Sequence, residues 1–310
     1  MNLLLITCDQ YRADALSCAG HSVLRTPALD QLAADGVRFA SHFGQAAPCS
    51  PGRASLYTGL YMMNHRVVSN SSPLEDRHTN FAVELRKLGY DPVMAGYTDI
   101  CADPENMDPN DPTMKTYGSM RGITSLEPGN HPRGTPGASG WASWLEEKGY
   151  DVPDQMFNSN PDDIYTDGGY PPSTVDGMVL PGNYHKIKEG QTLVDDEGFA
   201  APAFWAAEHS ESAYSAAVAM RHIRARHGAP WALHVSTFHP HPPWLAAAPF
   251  NRQYHHSQCG GTPRKPSRAE EGAAHPWLAH KLGSAGGLAP ESDEELNILR
   301  SQYDLPTMSI

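Results

Sequence analysis

The apolar residues of this chain fall into short runs that open into polar loops. Asn2 to Thr7 is a continuous apolar run ending in Cys8-Asp9-Gln10, the pattern of a strand buried in a parallel sheet. Similar runs at 91–95 and 231–238 lead into Gly96-Tyr97-Thr98-Asp99 and His239-Pro240-His241, and Val37 to Ser41 reads as a further strand. Helical stretches lie between them. Thr26-Pro27 through Gly36 carries an N-cap candidate, a proline at the first helical position and a glycine stop. Ser50-Pro51 through Tyr57 is closed by Gly59, Thr79 to Leu88 has helical spacing of Phe81, Leu85 and Leu88, and Glu211 to His227 is amphipathic. Glu291 to Gln302 starts one more helix. This alternation predicts an α/β fold with a mostly parallel sheet, in which ligands gather at the carboxyl ends of the strands.

From Cys101 to Ala200 the chain becomes rich in Pro, Gly, Asp and Asn, and only Gly137 to Lys148 reads as helical. A segment this long without regular structure is more often a lid or docking surface than an ordinary connection. The chain therefore divides into a core portion at 1–100, a loop-rich insertion at 101–200 and a continuation of the core at 201–310. With 40% hydrophobic and 19% charged residues it can bury a substantial core, and no apolar run approaches a membrane span. The net charge of −12 offers no basic excess, which argues against nucleic acid as a partner. Five scattered cysteines (Cys8, Cys18, Cys49, Cys101, Cys259) read as reduced thiols, and the N-terminus lacks the basic region of a signal peptide, so a cytoplasmic location is expected.

The strongest local signal is Pro48-Cys49-Ser50-Pro51-Gly52-Arg53-Ala54-Ser55-Leu56-Tyr57-Thr58-Gly59. It places Cys49 just before a helix N-terminus, where the macrodipole favours an anion and is expected to lower the thiol pKa. Arg53 lies one turn on, positioned to reach an anion bound beside Cys49. The step of four from cysteine to arginine is not the step of six of the phosphotyrosine-phosphatase loop. Asp9 and Gln10 are oxygen donors suited to a hard divalent cation. His241 stands among prolines after a strand, a setting that suits a side chain aimed into a site. Bland alternatives exist for each: a buried cysteine is often only a small hydrophobe, and Asn70 sits in a Ser-rich turn where Asn serves the backbone. His65 is expected to pack or hydrogen-bond locally, and Met62-Met63 to fill the core.

The Cys49 window matches the sulfatase modification motif Cys-x-Pro-x-Arg with its Ser-Leu-x-Thr-Gly continuation. Together with Asp9-Gln10-Tyr11-Arg12, Asn64-His65-Arg66, Asn70, Gly96-Tyr97-Thr98-Asp99 and Pro240-His241-Pro242-Pro243, it resembles the sulfatase and phosphonate monoester hydrolase branch of the alkaline phosphatase superfamily. The resemblance implies an alkaline-phosphatase-like three-layer α/β sandwich. It implies that Cys49 is oxidised by a formylglycine-generating enzyme or equivalent maturase, and that the formylglycine hydrate is the nucleophile. Catalytic roles then fall to Cys49, Arg53 and His241, substrate binding to Asn70, Tyr97 and Thr98, and a divalent cation, Mn²⁺ or Ca²⁺, to Asp9, Gln10 and modified Cys49. His239 takes a position often basic in this family. The substrate is a small-molecule ester, and homo-oligomerisation is left open.

The chain also departs from that pattern. Residues 245–310 lack the second acidic pair, Asp-His or Asp-Asn before Gly, and the later lysine that complete such a metal site, so the fold is expected to be C-terminally truncated. Two readings stand: the N-terminal part of a metal-dependent hydrolase, or a catalytically inactive fragment. Gln10 and Tyr97 replace charged residues typical of sulfatases proper. Less charge suits a singly charged centre, which favours phosphodiesters and phosphonate monoesters over the sulfate esters of an arylsulfatase.

Overall fold

A computed structural model describes residues 1–70, 72–101, 103, 120–127, 139–152, 174–175, 178–179, 194–200, 202–226, 228–241, 244–259, 265–284 and 292–304. Its strands are β1 (Leu3–Cys8), β2 (Pro92–Gly96), β3 (Thr124–Ser125), β4 (Thr174–Val175), β5 (Met178–Val179) and β6 (Ala232–Thr237). Its helices are α1 (Pro27–Asp35), α2 (Cys49–Thr58), α3 (Met62–His65), α4 (Phe81–Lys87), α5 (Gly140–Glu147), α6 (Glu211–Ala225), α7 (Arg268–Gly272), α8 (Pro276–Ser284) and α9 (Asp293–Asp304). The main sheet runs β1-β6-β2-β3 with every pair parallel, while β4 and β5 form a separate antiparallel pair. β6 thus pairs with both β1 and β2, bringing strands from the two ends of the sequence into one sheet. Most of the insertion expected at 101–200 lies outside the described residues.

Helices cover both faces of the sheet, as a buried parallel sheet requires. On one face, Val218 and Ala219 of α6 pack against Val93, Ala95, Leu233 and Val235. On the other, Tyr57 of α2 and Phe81 of α4 set their rings against His234 of β6, with centroids at 5.6 and 6.1 Å. Side-chain caps fix where several helices start: Asn80 accepts from the Ala82 and Val83 amides, Ser139 from Ala142 and Ser210 from Ala213. Gly96, at the end of β2, has φ 98°, and a Cβ there would lie 1.9 Å from the Ser236 carbonyl oxygen, so only glycine fits. Among the described residues no helix is long and apolar enough to cross a membrane.

Two expectations are corrected. Residues 37–41 form no strand: Val37 and Phe39 are 80% and 78% exposed, and no described strand lies beside them. An extended run becomes a strand only with a partner. Met62 and Met63 are exposed on the short α3 instead of filling the core. β1 forms one edge of the four-stranded sheet. Leu4 and Ile6 are in register with Leu233 and Val235, which α6 covers, yet they are 51% and 50% exposed. The cover provided by α6 stops short of the edge strand.

Inside the sheet, His234 is fully buried. Its Nε2 lies 3.0 Å from Thr7 Oγ1, which donates to Ser236 Oγ at 3.1 Å. Because Thr7 has already given its proton to Ser236, the donor in the first contact is Nε2–H. Nδ1 is then the bare acceptor, and it is buried without a partner. Burial, reinforced by the Arg53 charge, pushes the His234 pKa down to about 3.

Two predictions follow from this packing. Between pH about 3 and 6.5 the unfolded chain binds a proton at His234 that the folded chain refuses. Stability is therefore intact above pH 6.5 and falls by up to about 1.4 kcal/mol per pH unit below it. Urea midpoints measured across this range should show a slope shallower by one proton in His234→Phe; an unchanged slope would place His234 outside this account. Separately, Leu4→Lys combined with Ile6→Lys should lower binding of the dye ANS with no change in far-UV circular dichroism, because the substituted side chains already face water.

Candidate active site

Parallel strands deliver their carboxyl ends to one side of the sheet, and the chemistry-bearing residues collect there. β1 hands over Asp9 and Gln10, β2 hands over Tyr97 and Asp99, β6 hands over His239 and His241, and α2 begins at Cys49. Donor atoms of Asp9, Cys49 and His241 lie within 4.8 Å of one another. Gln10 and Asp99 both adopt left-handed backbone, φ 60° and 57°, at the points where their strands turn into the site. Non-glycine residues are uncommon in that region, and such conformations cluster at functional sites.

Asp9 is held from two directions. The Tyr97 hydroxyl donates to Asp9 Oδ2 at 2.6 Å, and Arg53 Nη2 lies 3.8 Å from the same oxygen. Burial keeps Tyr97 a neutral phenol, well above its ordinary pKa, so it remains a donor. Arg53 is only 7% exposed. Its Nη1 donates to Ser236 Oγ (2.9 Å), the Tyr97 carbonyl (3.2 Å) and the Tyr57 hydroxyl (3.2 Å), and its guanidinium carbon stands 4.7 Å from the centre of the Tyr97 ring. The arginine therefore ties α2 to β2 and β6 as well as facing Asp9.

Cys49 is the first residue of α2, one step inside the expected start, but its thiol is not activated. Burial and the negative charges of Asp9 and Asp99 push its pKa up to about 11, with Arg53 opposing. The helix N-terminus does not overcome those terms. Pro48 brings no side-chain cap to this helix, and the Ser50 amide instead donates to Asn70 Oδ1 at 3.0 Å. Asn70 thus serves the start of the Cys49 helix. Ser50 Oγ donates to Asp99 Oδ2 at 3.2 Å, and at the other end Gly59, φ 72°, closes the helix on the Ser55 carbonyl.

The remaining expected residues are placed as follows. Thr98 is fully enclosed and its hydroxyl accepts from the Ile100 amide. Tyr97 is also buried, and it reaches the site through Asp9. The Gln10 side chain is exposed beside the cluster, while its carbonyl accepts from the Tyr303 hydroxyl of α9 at 2.7 Å. His241 rests on Phe238, ring centroids 4.6 Å apart at 34°. His239 is buried, with Nδ1 3.8 Å from Glu211, which puts it at the junction of β6 and α6. His65 bonds Ser55 inside the fold, and all five cysteines are free of disulfides. Ser236, Asp99 and Glu211 belong to this framework and were not singled out from the sequence. The available signal was the polar His234, Ser236 and Thr237 inside an otherwise apolar strand.

The donor set can be tested against a metal on its chemistry. Asp9 and Gln10 bring oxygen, which fits a hard divalent cation; an unmodified thiol does not. Sheet, Cys49 helix and donor cluster together define an α/β core with its candidate site at the strand ends. The chain belongs to the Sulfatase family, whose profile matches residues 1–302. It is 32% identical to the multifunctional alkaline phosphatase superfamily protein PehA of Trinickia caryophylli, over 97% of this chain and 56% of PehA. Its fold matches the phosphonate monoester hydrolase of Agrobacterium radiobacter, with TM-score 0.79, 34% identity, and coverage of 99% of this chain and 56% of that one. The phosphonate monoester hydrolase SpPMH of Silicibacter pomeroyi gives TM-score 0.74 and 30% identity at the same coverage. The chain thus spans a little over half the length of these relatives.

The thiol environment makes a measurable prediction. In metal-free protein, alkylation of Cys49 by iodoacetamide, read by mass spectrometry of its peptide, should rise with pH toward a midpoint near 11. Asp9→Asn removes a negative neighbour and should move the midpoint down. Half-maximal alkylation near the ordinary thiol range of about 8.5 would contradict the assignment.

Proposed function

We propose that this chain is the nucleophile-bearing portion of a metal-dependent hydrolase of phosphonate monoesters and phosphodiesters, with sulfate monoesters as secondary substrates and Cys49 converted to formylglycine. The observation that carries this reading is the convergence of Asp9, Cys49 and His241 within 4.8 Å at the mouth of a parallel sheet. The family relationship supplies the reaction class, and the named activity of two relatives points toward phosphonate monoesters.

Each residue has a task that follows from its position. Once modified, residue 49 would present a hydrate whose two hydroxyls would supply nucleophilic chemistry at the ester. Asp9, Gln10 and the modified Cys49 would hold a divalent cation, which would supply Lewis-acid charge at the ester. Arg53 holds Asp9 in place and presents a permanent positive charge toward an anionic centre. Tyr97 fixes the orientation of Asp9. His241, stacked on Phe238, donates a proton to the departing alcohol oxygen. Arg53 is the permanently charged cation among the residues described at this site, and Asp9 and Asp99 oppose it. That balance suits an ester of charge −1 better than a dianion.

The test begins with the chain co-produced with a formylglycine-generating enzyme. The Cys49 peptide should show the mass loss of –CH₂SH becoming –CHO. A hard cation takes about six oxygen ligands, and Asp9, Gln10 and the modified Cys49 offer three protein positions. The modified 310-residue chain should therefore hydrolyse aryl esters no faster than its Cys49→Ala control. A chimera carrying the remaining portion of a phosphonate monoester hydrolase should turn over an aryl phosphonate faster than an aryl sulfate, and lose at least ~10²-fold in rate on Cys49→Ala. A strong sulfate preference would reverse the ranking, and a chimera indifferent to Cys49 would remove the nucleophile assignment.

A further inference from the structure

The donor atoms that meet at this site are not the set a hard cation would choose. Before any modification, residue 49 is a cysteine, and its sulfur faces a carboxylate oxygen of Asp9 and a ring nitrogen of His241 within 4.8 Å. Sulfur, nitrogen and oxygen donors are the choice of borderline-soft Zn²⁺, which takes three protein ligands plus an open fourth position in its reactive sites. We propose that the unmodified chain binds Zn²⁺ through Cys49 Sγ, an Asp9 carboxylate oxygen and a His241 ring nitrogen. The binding site stands on this geometry alone, while its consequence for maturation rests on the proposed oxidation of Cys49.

Geometry, rigidity and charge agree on the site. Zn–S and Zn–N bonds of about 2.3 and 2.0–2.1 Å put tetrahedral donors roughly 3.3–3.6 Å apart, so the three side chains need only close inward by about an ångström. Each is already restrained. Asp9 is held by Tyr97 and Arg53, His241 by its stacking on Phe238, and Cys49 by the first turn of α2, whose Ser50 amide is bonded to Asn70. With Cys49 as thiolate, Cys49, Asp9 and Asp99 outweigh Arg53 by two negative charges, the complement of a divalent cation. Binding exchanges the thiol proton, which passes to solvent, for the metal. Oxidation of Cys49 would then remove the one soft donor and turn the preference of the same place toward oxygen-seeking cations. Zn²⁺ bound beforehand occupies the sulfur lone pair that any maturase must reach.

The test uses the full 310-residue chain produced without a maturase and stripped of metal, with Co²⁺ as the spectroscopic substitute for Zn²⁺. Co²⁺ should produce a thiolate-to-cobalt charge-transfer band and the intense visible bands of four-coordinate cobalt. One equivalent of Zn²⁺ should abolish both, and excess Mn²⁺ should leave them. Cys49→Ser should eliminate the charge-transfer band, His241→Ala and Asp9→Asn should each weaken Co²⁺ binding by at least about tenfold, and Cys8→Ser and Cys101→Ser should change nothing. A band that persists in Cys49→Ser, an affinity unmoved by His241→Ala, displacement by Mn²⁺, or no band from a chain folded by circular dichroism would each overturn the assignment. No ester is turned over in this experiment, so its failure leaves the hydrolase reading untouched, and the converse also holds.

Discussion

A guanidinium enclosed by protein must find a partner for its N–H groups or leave a charge uncompensated, and Arg53 meets that demand with the ends of the sheet. One nitrogen bonds Ser236 of β6, the carbonyl of Tyr97 just after β2 and the hydroxyl of Tyr57 on its own helix, and another faces Asp9 at the end of β1. The side chain thereby sets the position of the Cys49 helix relative to every strand that contributes to the cluster. A lysine has one nitrogen on a flexible stem and could not span these directions at once. The spacing of four between Cys49 and Arg53 acquires its meaning here: one helical turn puts the thiol at the solvent mouth and the guanidinium beneath it.

The cysteine is quiet in spite of that buried charge. A helix N-terminus contributes about half a positive charge, spread over several amides, and salt and solvent weaken it further. Against it stand burial and two carboxylates, while Arg53, engaged below, opposes them only in part. The net effect keeps the thiol protonated, an unsuitable state for a cysteine nucleophile and a tolerable one for a residue destined for another chemistry or for a metal. A site that held Cys49 for its own nucleophilicity would be expected to surround it with cations instead.

Much of this arrangement was legible along the chain, and what escaped did so for physical reasons. Runs such as Leu3–Cys8, Pro92–Gly96 and Ala232–Thr237 announce themselves because strands of a parallel sheet flanked by helices are mostly apolar, even where, as at Leu4 and Ile6, the cover is incomplete. The Cys49 helix is equally plain, through Pro51 in its first turn and Gly59 beyond its end. Val37 and Phe39 look like a strand because local pattern says nothing about whether a neighbour exists to pair with. The thiol pKa depends on Asp9 and Asp99, brought close only by folding, so a reading of the helix terminus alone points the wrong way. Tyr97 and Thr98 are adjacent in sequence, and burial separates them: one hydroxyl reaches Asp9, the other closes a turn. Gln10, Ser236 and Asp99 show the same limit, since their roles lie in tertiary partners and backbone angles rather than in residue type.

The weakest support in the sheet lies under the most demanding residue. Asp9 and Gln10 hang from β1, the edge strand, where α6 no longer covers Leu4 and Ile6. An edge strand held by one ladder is freer to shift than a central one, and errors of about 1 Å at a reacting centre can cost ~10² in rate. The structure ties the loop after β1 to better-supported elements. Tyr97 and Arg53 link Asp9 to β2 and α2, and Tyr303 of α9 donates to the Gln10 carbonyl at 2.7 Å while accepting from the Arg12 amide at 2.8 Å. Trp244 sets its ring edge against Tyr303 and donates to the Pro240 carbonyl next to His241, so the same aromatic pair joins the β1 loop to the β6 loop. Residues almost three hundred positions apart in sequence are thus bound around one cluster. The rigidity of Asp9 is consequently a property of these cross-links more than of the strand that carries it.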